Sequence, residues 1–260
     1  FWIGMGIAGL AIAVLLLFLL PGGAPAAAGG TPASGGGDWL GSALRGLGSV
    51  LRNPQSILCG IIAGLLFIPT TILDMVWGVR YLQEGHGFGY ADAVLRSSLV
   101  PFGWIVGCPL LGWISDRLGR RKPVIAVAAG ILGGCLAWIL YGPADVLPPY
   151  VLGFGAGVAS GAAMIPYTVI KEANPKPLAG TATGVVNFIN FTFSALLGPV
   201  FARLLTRASG GAESMRLEHY QAAFAPMLLG VGLALVLAFI LKETGPAARA
   251  RAAVPAESTT

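Results

Sequence analysis

The chain has 260 residues, of which 55% are hydrophobic and only 10% charged, and its mean hydropathy is +0.78. A soluble globular chain carries about 25% charged residues, so the composition excludes one and indicates a protein that crosses a membrane several times. The net charge of +5 would suit a nucleic-acid partner, yet the cations flank apolar runs instead of forming one patch, and membrane topology accounts for them better.

Phe1 to Leu20 is one apolar run, long enough to span a bilayer and without a basic leader, which predicts a transmembrane helix and not a signal peptide. The missing start Met predicts a piece of a longer sequence, although a naturally split protein also fits. Gly4, Gly6 and Gly9 have dinucleotide-site spacing, but no strand precedes them, so helix packing is the better reading. Pro21 to Gly37 reads as a flexible linker. Asp38 is placed to cap a short helix whose Trp39, Leu40, Ala43, Leu44, Leu47, Val50 and Leu51 share one face, away from Arg45 and Arg52. Such a helix suits a membrane surface. Asn53-Pro54 ends it.

Six further spans are predicted, at about Ile57 to Val79, Ala93 to Ser115, Val124 to Tyr141, Pro149 to Ile170, Thr181 to Leu205 and Gln221 to Leu241. Cys59, Cys108 and Cys135 fall inside them at neither metal-ligand nor redox spacing, which predicts buried free thiols and no bound metal or cofactor. Between the second and third of these spans lies Gly112-Trp-Ile-Ser-Asp-Arg-Leu-Gly-Arg-Arg-Lys122, whose four cations and one carboxylate place it in a short loop at a membrane face. With that loop inside, eleven cations lie on the cytoplasmic side and five outside (Arg80, Arg96, Arg203, Arg207 and Arg216), as the positive-inside rule requires. Pro123 suits the first turn of the following helix, so the Asp116 carboxylate is expected to meet that helix's positive end.

The pattern Gly112, Asp116, Arg117, Gly119, Arg120, Arg121 resembles the signature loop of the major facilitator superfamily of secondary transporters. The resemblance implies an all-α polytopic membrane protein: one six-helix bundle, residues 55–241, preceded by a transmembrane helix at 1–20 and a cytoplasmic linker with a surface helix at 21–54. A cytoplasmic tail, 242–260, would follow. It also implies a C-terminal half lacking its N-terminal six-helix partner, in a cell inner (plasma) membrane with the C-terminus cytoplasmic. A three-plus-three inverted repeat is expected, with the spans from Ile57, Ala93 and Val124 matching the last three, although no sequence similarity displays it. In the family this loop is a gating latch, here Asp116, Arg117 and Arg121, with Gly112 and Gly119 allowing close approach.

Candidates for a translocation path are the polar residues inside the spans. Thr183, Asn187, Asn190 and Ser194 recur at i, i+4, i+7 and i+11 on one helical face, as path lining or as interhelical hydrogen bonding. Ser160, Met164 and Tyr167 form a weaker stripe on the preceding span. Asp74 and Arg96 lie at one depth on consecutive helices, placed to pair across the mouth of the path, to bind a charged solute, or simply to reach the lipid–water boundary, with Trp77 and Tyr81 as interfacial anchors. His86 reads as a solvated loop histidine with proton coupling as the alternative. Gly130/Gly134, Gly157/Gly161 and Gly180/Gly184 read as packing faces, and the prolines at 69, 101, 109, 166, 199 and 226 as sites of helix bending. No nucleophile–base set points to an enzyme. Trp77-Gly-Val-Arg-Tyr-Leu-Gln and Gly180-Thr-Ala-Thr-Gly-Val-Val-Asn-Phe are loosely similar to permeases of the sugar-phosphate and organic-anion branch. The implied partners are a small solute, a coupling proton or ion, and lipid. A non-transporting receptor or scaffold of the same fold is the alternative.

Overall fold

The computed structural model describes residues 2–19, 39–143, 149–212 and 214–253; the expected linker and the end of the tail lie outside them. The chain forms two compact units, Phe1–Ser42 and Ala43–Thr260. The first holds α1, Trp2–Leu19, an uncharged helix whose Ile3, Leu10 and Phe18 are exposed, as suits a surface meeting lipid. Helix α2, Trp39–Arg52, carries Val50 fully buried in the second unit, while Leu44, Leu47 and Leu51 stay exposed.

Six helical spans of the second unit are long and apolar enough to cross a membrane: 54–78, 90–118, 122–141, 150–172, 176–208 and 217–240. All six sequence-predicted spans are therefore present, most with an added turn at an end. No strand occurs among the described residues. Helix α3, Pro54–Ile68, starts at Asn53, whose Oδ1 accepts the Gln55 N–H at 3.0 Å, with Pro54 in the first turn where its missing N–H costs nothing. Asn53 Nδ2 also donates to the Ala173 carbonyl at 2.9 Å, and Asn174 Nδ2 to Ser56 Oγ at 2.9 Å. The start of α3 is thereby fastened to the chain leaving a later span.

From Pro69 to Gly78 the helix widens to π geometry, and it does so again at Tyr81–Gly85. Pro69 cannot donate to the preceding turn, which loosens the ladder where the widening begins. The fourth span, expected as one helix, is broken: α6, Pro149–Ser160, passes through a 3₁₀ turn at Gly161–Met164 into α7, Ile165–Glu172. Pro166, without an N–H, explains a break there. Ser160 Oγ donates to the Leu66 carbonyl at 2.9 Å and lies 2.8 Å from Thr70 Oγ1, tying the break to α3.

The remaining helices are α4, Tyr90–Leu118, α5, Lys122–Tyr141, α8, Ala179–Ala208, and α9, Leu217–Ile240. Ile62, Leu66, Leu132, Leu136, Ile170, Leu205 and Phe224 are fully buried between them, while Phe102, Ile105, Val127, Leu229 and Phe239 face outward. Helix α4 lies on α6 as α8 lies on α3, α5 lies on α6 as α9 lies on α3, and α5 meets α9. The neighbour order thus repeats between the first three spans and the last three.

The α4–α6 contact is made by backbone. A Cβ at Gly157 would collide with the Val100 carbonyl, at Gly161 with Gly107, and at Gly103 and Gly107 with the backbone of Phe154 and Val158. Small residues permit this approach in lipid. Gly157/Gly161 is therefore a packing face, but Gly130, Gly134, Gly180 and Gly184 have open space where a side chain would stand, which corrects that expectation for them. Tyr81 is no interfacial anchor either. It is buried, and its hydroxyl donates to the Ile139 carbonyl and meets His86 Nε2 at 2.9 Å, so His86 is not simply solvated.

Candidate functional site

Three groupings of polar side chains stand out in the second unit. The first is built on the 112–122 loop. Helix α4 ends at Gly119, whose φ of +61° is the left-handed conformation that favours glycine, and a Cβ there would also press on Ala247. The chain then turns back, which brings the Arg121 side chain over the last turn of α4.

Arg121 is 5% exposed and is the centre of the grouping. Its Nη1 donates to Asp116 Oδ1 at 2.5 Å and to Ser115 Oγ at 3.0 Å, and its Nη2 and Nε reach the two oxygens of Glu172 at 2.8 and 3.3 Å. Glu172, at the end of α7, also receives Arg249 Nη2 at 2.9 Å and the Thr244 hydroxyl at 2.7 Å. Burial disfavours the Arg121 cation, but the carboxylates of Glu172 and Asp116 outweigh it and hold the guanidinium above its ordinary pKa.

Asp116 was expected to meet the positive end of α5, and Arg117 to join the latch; neither arrangement is found. The carboxylate at that end is Glu243, which accepts the N–H groups of Arg121 at 2.7 Å and Lys122 at 3.2 Å as well as those of Thr244 and Gly245. Asp116 is instead taken up by the Arg121 side chain. Arg117 lies 5.0 Å from the Trp113 ring on the surface, Arg120 is exposed, and Gly112 has no close neighbour. The described part of the expected tail, up to residue 253, contains a helix. Helix α10, Pro246–Ala253, docks on the loop through the Ala247 N–H to the Gly119 carbonyl at 3.1 Å.

Glu243 has a depressed pKa: burial pushes it up, but four backbone N–H groups, led by that of Arg121, outweigh burial and bring it below the ordinary carboxylate range. A depressed native pKa means that its contribution is fully present above the unfolded value near 4.5 and is lost as pH falls through the lowered native value. Faster hydrogen exchange at Lys122 and Thr244, relative to the intrinsic rate at each pH, is therefore expected once acidification protonates Glu243, below the ordinary carboxylate range. Glu243→Gln should show that faster exchange already at pH 7; wild-type protection in the variant would remove Glu243 from this role.

The second grouping joins α7 and α8. Tyr167 donates to Asn187 Oδ1 at 2.8 Å, and Asn190 Nδ2 reaches the Tyr167 oxygen at 3.4 Å. Asn190 is 1% exposed and its Oδ1 has no partner among the described residues, whereas Asn187 lies open in a shallow groove with Gly184, Phe188, Phe191 and Thr192. Ser194 Oγ lies 3.3 Å from Thr71 Oγ1 of the π-helical stretch. Thr183 bonds back to the Ala179 carbonyl of its own helix at 2.9 Å and leaves the stripe.

The third grouping holds Asp74 and Arg96, about 30 Å along α4 from Asp116. They do not pair. Asp74 Oδ1 accepts the Ser97 hydroxyl at 2.9 Å, while the Arg96 guanidinium lies 3.9 Å from the Phe88 ring centre. Both line a cavity inside the bundle, between the π-helical stretch, α4, α5 and α6, and not a mouth of the α7–α8 face. Nearby, Glu84 takes the Tyr220 hydroxyl at 2.7 Å and Arg80 at 2.8 Å.

Sequence reasoning missed Ser115, Glu172, Glu243, Thr244 and Arg249 as members of the first grouping. A signal was present: acids are scarce, and Glu172 and Glu243 both stand at ends of spans on the face that carries the signature loop.

Six spanning helices with a repeated neighbour order and a charge cluster on one loop define a multi-pass membrane protein. The chain belongs to the Major Facilitator Superfamily, whose family model matches residues 1–199. It is similar to the membrane sensor protein UhpC of Salmonella typhimurium, 28% identical over 190 residues covering 71% of this chain and 40% of that protein. The glycerol-3-phosphate transporter of Bacillus subtilis is 30% identical over 48% of this chain and 29% of its own length. The sugar transporter ERD6-like 8 of Arabidopsis thaliana is 36% identical over 59% of this chain and 34% of its own. The chain thus spans less than half the length of these relatives. No solved structure matches at comparable significance.

Proposed function

We propose that these six helices serve as one half of a secondary transporter that moves a small organic anion or sugar phosphate by alternating access against a second six-helix unit. The observation that carries this reading is the Tyr167–Asn187–Asn190 contact, which joins α7 and α8 and leaves one buried amide oxygen unsatisfied on a face with an exposed amide. Polar groups held at such depth in apolar helices mark solute paths. The Arg121 cluster is the gate: it ties the ends of α4 and α7 and the segment after α9 in one state, and opening it releases them. The eleven-to-five cation split supports a cytoplasmic loop and C-terminus and an inner (plasma) membrane location. Among the relatives, the transporter named for glycerol-3-phosphate supports the substrate class; a coupling proton or ion belongs to the same reading, and no catalytic step does.

A second reading, a sensor of the same fold, is favoured by the UhpC relatives, which are named as membrane sensors. Counterflow of labelled sugar phosphates, organic acids and sugars into vesicles carrying the intact protein separates the two. The expected result is saturable exchange of one solute class, reduced at least ~10-fold by Asn187→Leu and Asn190→Leu at matched protein level and kept by Thr206→Ala, whose hydroxyl bonds only its own helix. No exchange of any solute, with binding retained, would establish the sensor reading instead.

A further inference from the structure

We propose that the cavity around Arg96 is a second binding site, for a small molecule carrying one anionic head, carboxylate or phosphate, on an apolar body. The cavity has a volume of about 120 Å³ and is lined by the π-helical stretch, α4, α5 and α6; no residue of α7 or α8 lines it. It is therefore separate from the face proposed for transport and stands whether or not that reading does.

Arg96 supplies the argument. Its Nε and Nη1 are buried and have no acceptor among the described residues. Phe88, and Tyr150 at 5.5 Å, offer the guanidinium ring faces, which attract a cation but do not replace oxygen acceptors for its N–H groups. Arginine does not shed its proton, so it cannot escape the cost by neutralising. Among the described residues the one carboxylate in the cavity, Asp74, takes the Ser97 hydroxyl and not Arg96. An external anionic head supplies the missing acceptors. Leu73, Val100, Leu132 and Leu136 give the apolar body its surroundings, the mix of apolar wall and a few polar groups that small-molecule sites show.

Such a head can come from the bilayer, as a fatty acid, or from water, as a small aromatic or aliphatic acid. The full chain in nanodiscs of neutral lipid is titrated calorimetrically with octanoate, benzoate and phenyl phosphate. Saturable binding of at least one probe is expected, weakened at least ~10-fold by Arg96→Gln, abolished by Ala156→Leu, which fills the cavity from α6, and unchanged by Thr206→Ala. A preference for octanoate identifies the bilayer as the source, and a preference for benzoate or phenyl phosphate the aqueous phase. Should Arg96→Gln fail to assemble, Ala156→Leu decides alone. Absence of saturable binding by all three probes, or undiminished binding in the Arg96 or Ala156 variant, overturns the proposal.

Discussion

Arg121→Ala is expected to destabilise the bundle by about 3–5 kcal/mol, the cost of removing one partner from a buried ion pair. The substitution leaves Glu172, whose side chain is only 12% exposed, with Arg249 as its remaining cation, and removes the one side chain that joins Asp116 to Glu172. Asp116 is 67% exposed, so Asp116→Asn should cost at most about 1 kcal/mol, as for surface ion pairs, while the proposed gating role predicts slower flux in the intact protein. Arg117→Ala, which only frees the Trp113 ring, should lie within about 0.5 kcal/mol of wild type. Thermal unfolding in one lipid or detergent checks the order. Equal losses for Arg121→Ala and Arg117→Ala would show that the loop's cations act only through net charge.

Gly157→Leu should have the larger effect, more than about 3 kcal/mol or failure to assemble, because the side chain would begin inside the backbone of α4. Ordinary overpacking is relieved by rotamer changes, but a carbonyl at the site of the new Cβ yields only if two helices separate. Gly134→Leu is the control: nothing lies within reach of its Cβ, and its cost should stay near the ~1 kcal/mol or less typical of an exposed site. Proteins with matched expression signals are compared by yield of folded protein and by melting temperature. Equal tolerance of both substitutions would mean that α4 and α6 are not in backbone contact.

These contrasts mark what was legible in the sequence. The six spans were readable because length and hydropathy are local properties, and the Asp116 loop because its pattern is contiguous. Its partners were not: Arg121 meets Glu172 across 51 positions and Glu243 across 122, and no local pattern encodes such a pairing. Gly157/Gly161 and Gly130/Gly134 have the same spacing, and only the neighbour each meets tells a seam from an open surface. Asp74 and Arg96 were expected at one depth, but depth does not say which neighbour each takes, here Ser97 and Phe88. Pro69 marked a bend, but not its π winding, since apolar side chains at Ile72 and Leu73 fit either winding.

The position of Glu243 bears on how the protein is made. The N–H groups that open α5 are exposed when that helix leaves the ribosome, and their acceptor is synthesised 122 residues later. At ~5–20 residues per second the interval is on the order of ten seconds, during which the helix start must rely on water or lipid headgroups. Assembly of the bundle is therefore closed by its last segment, and the signature loop reaches its final arrangement only after α9 has entered the membrane.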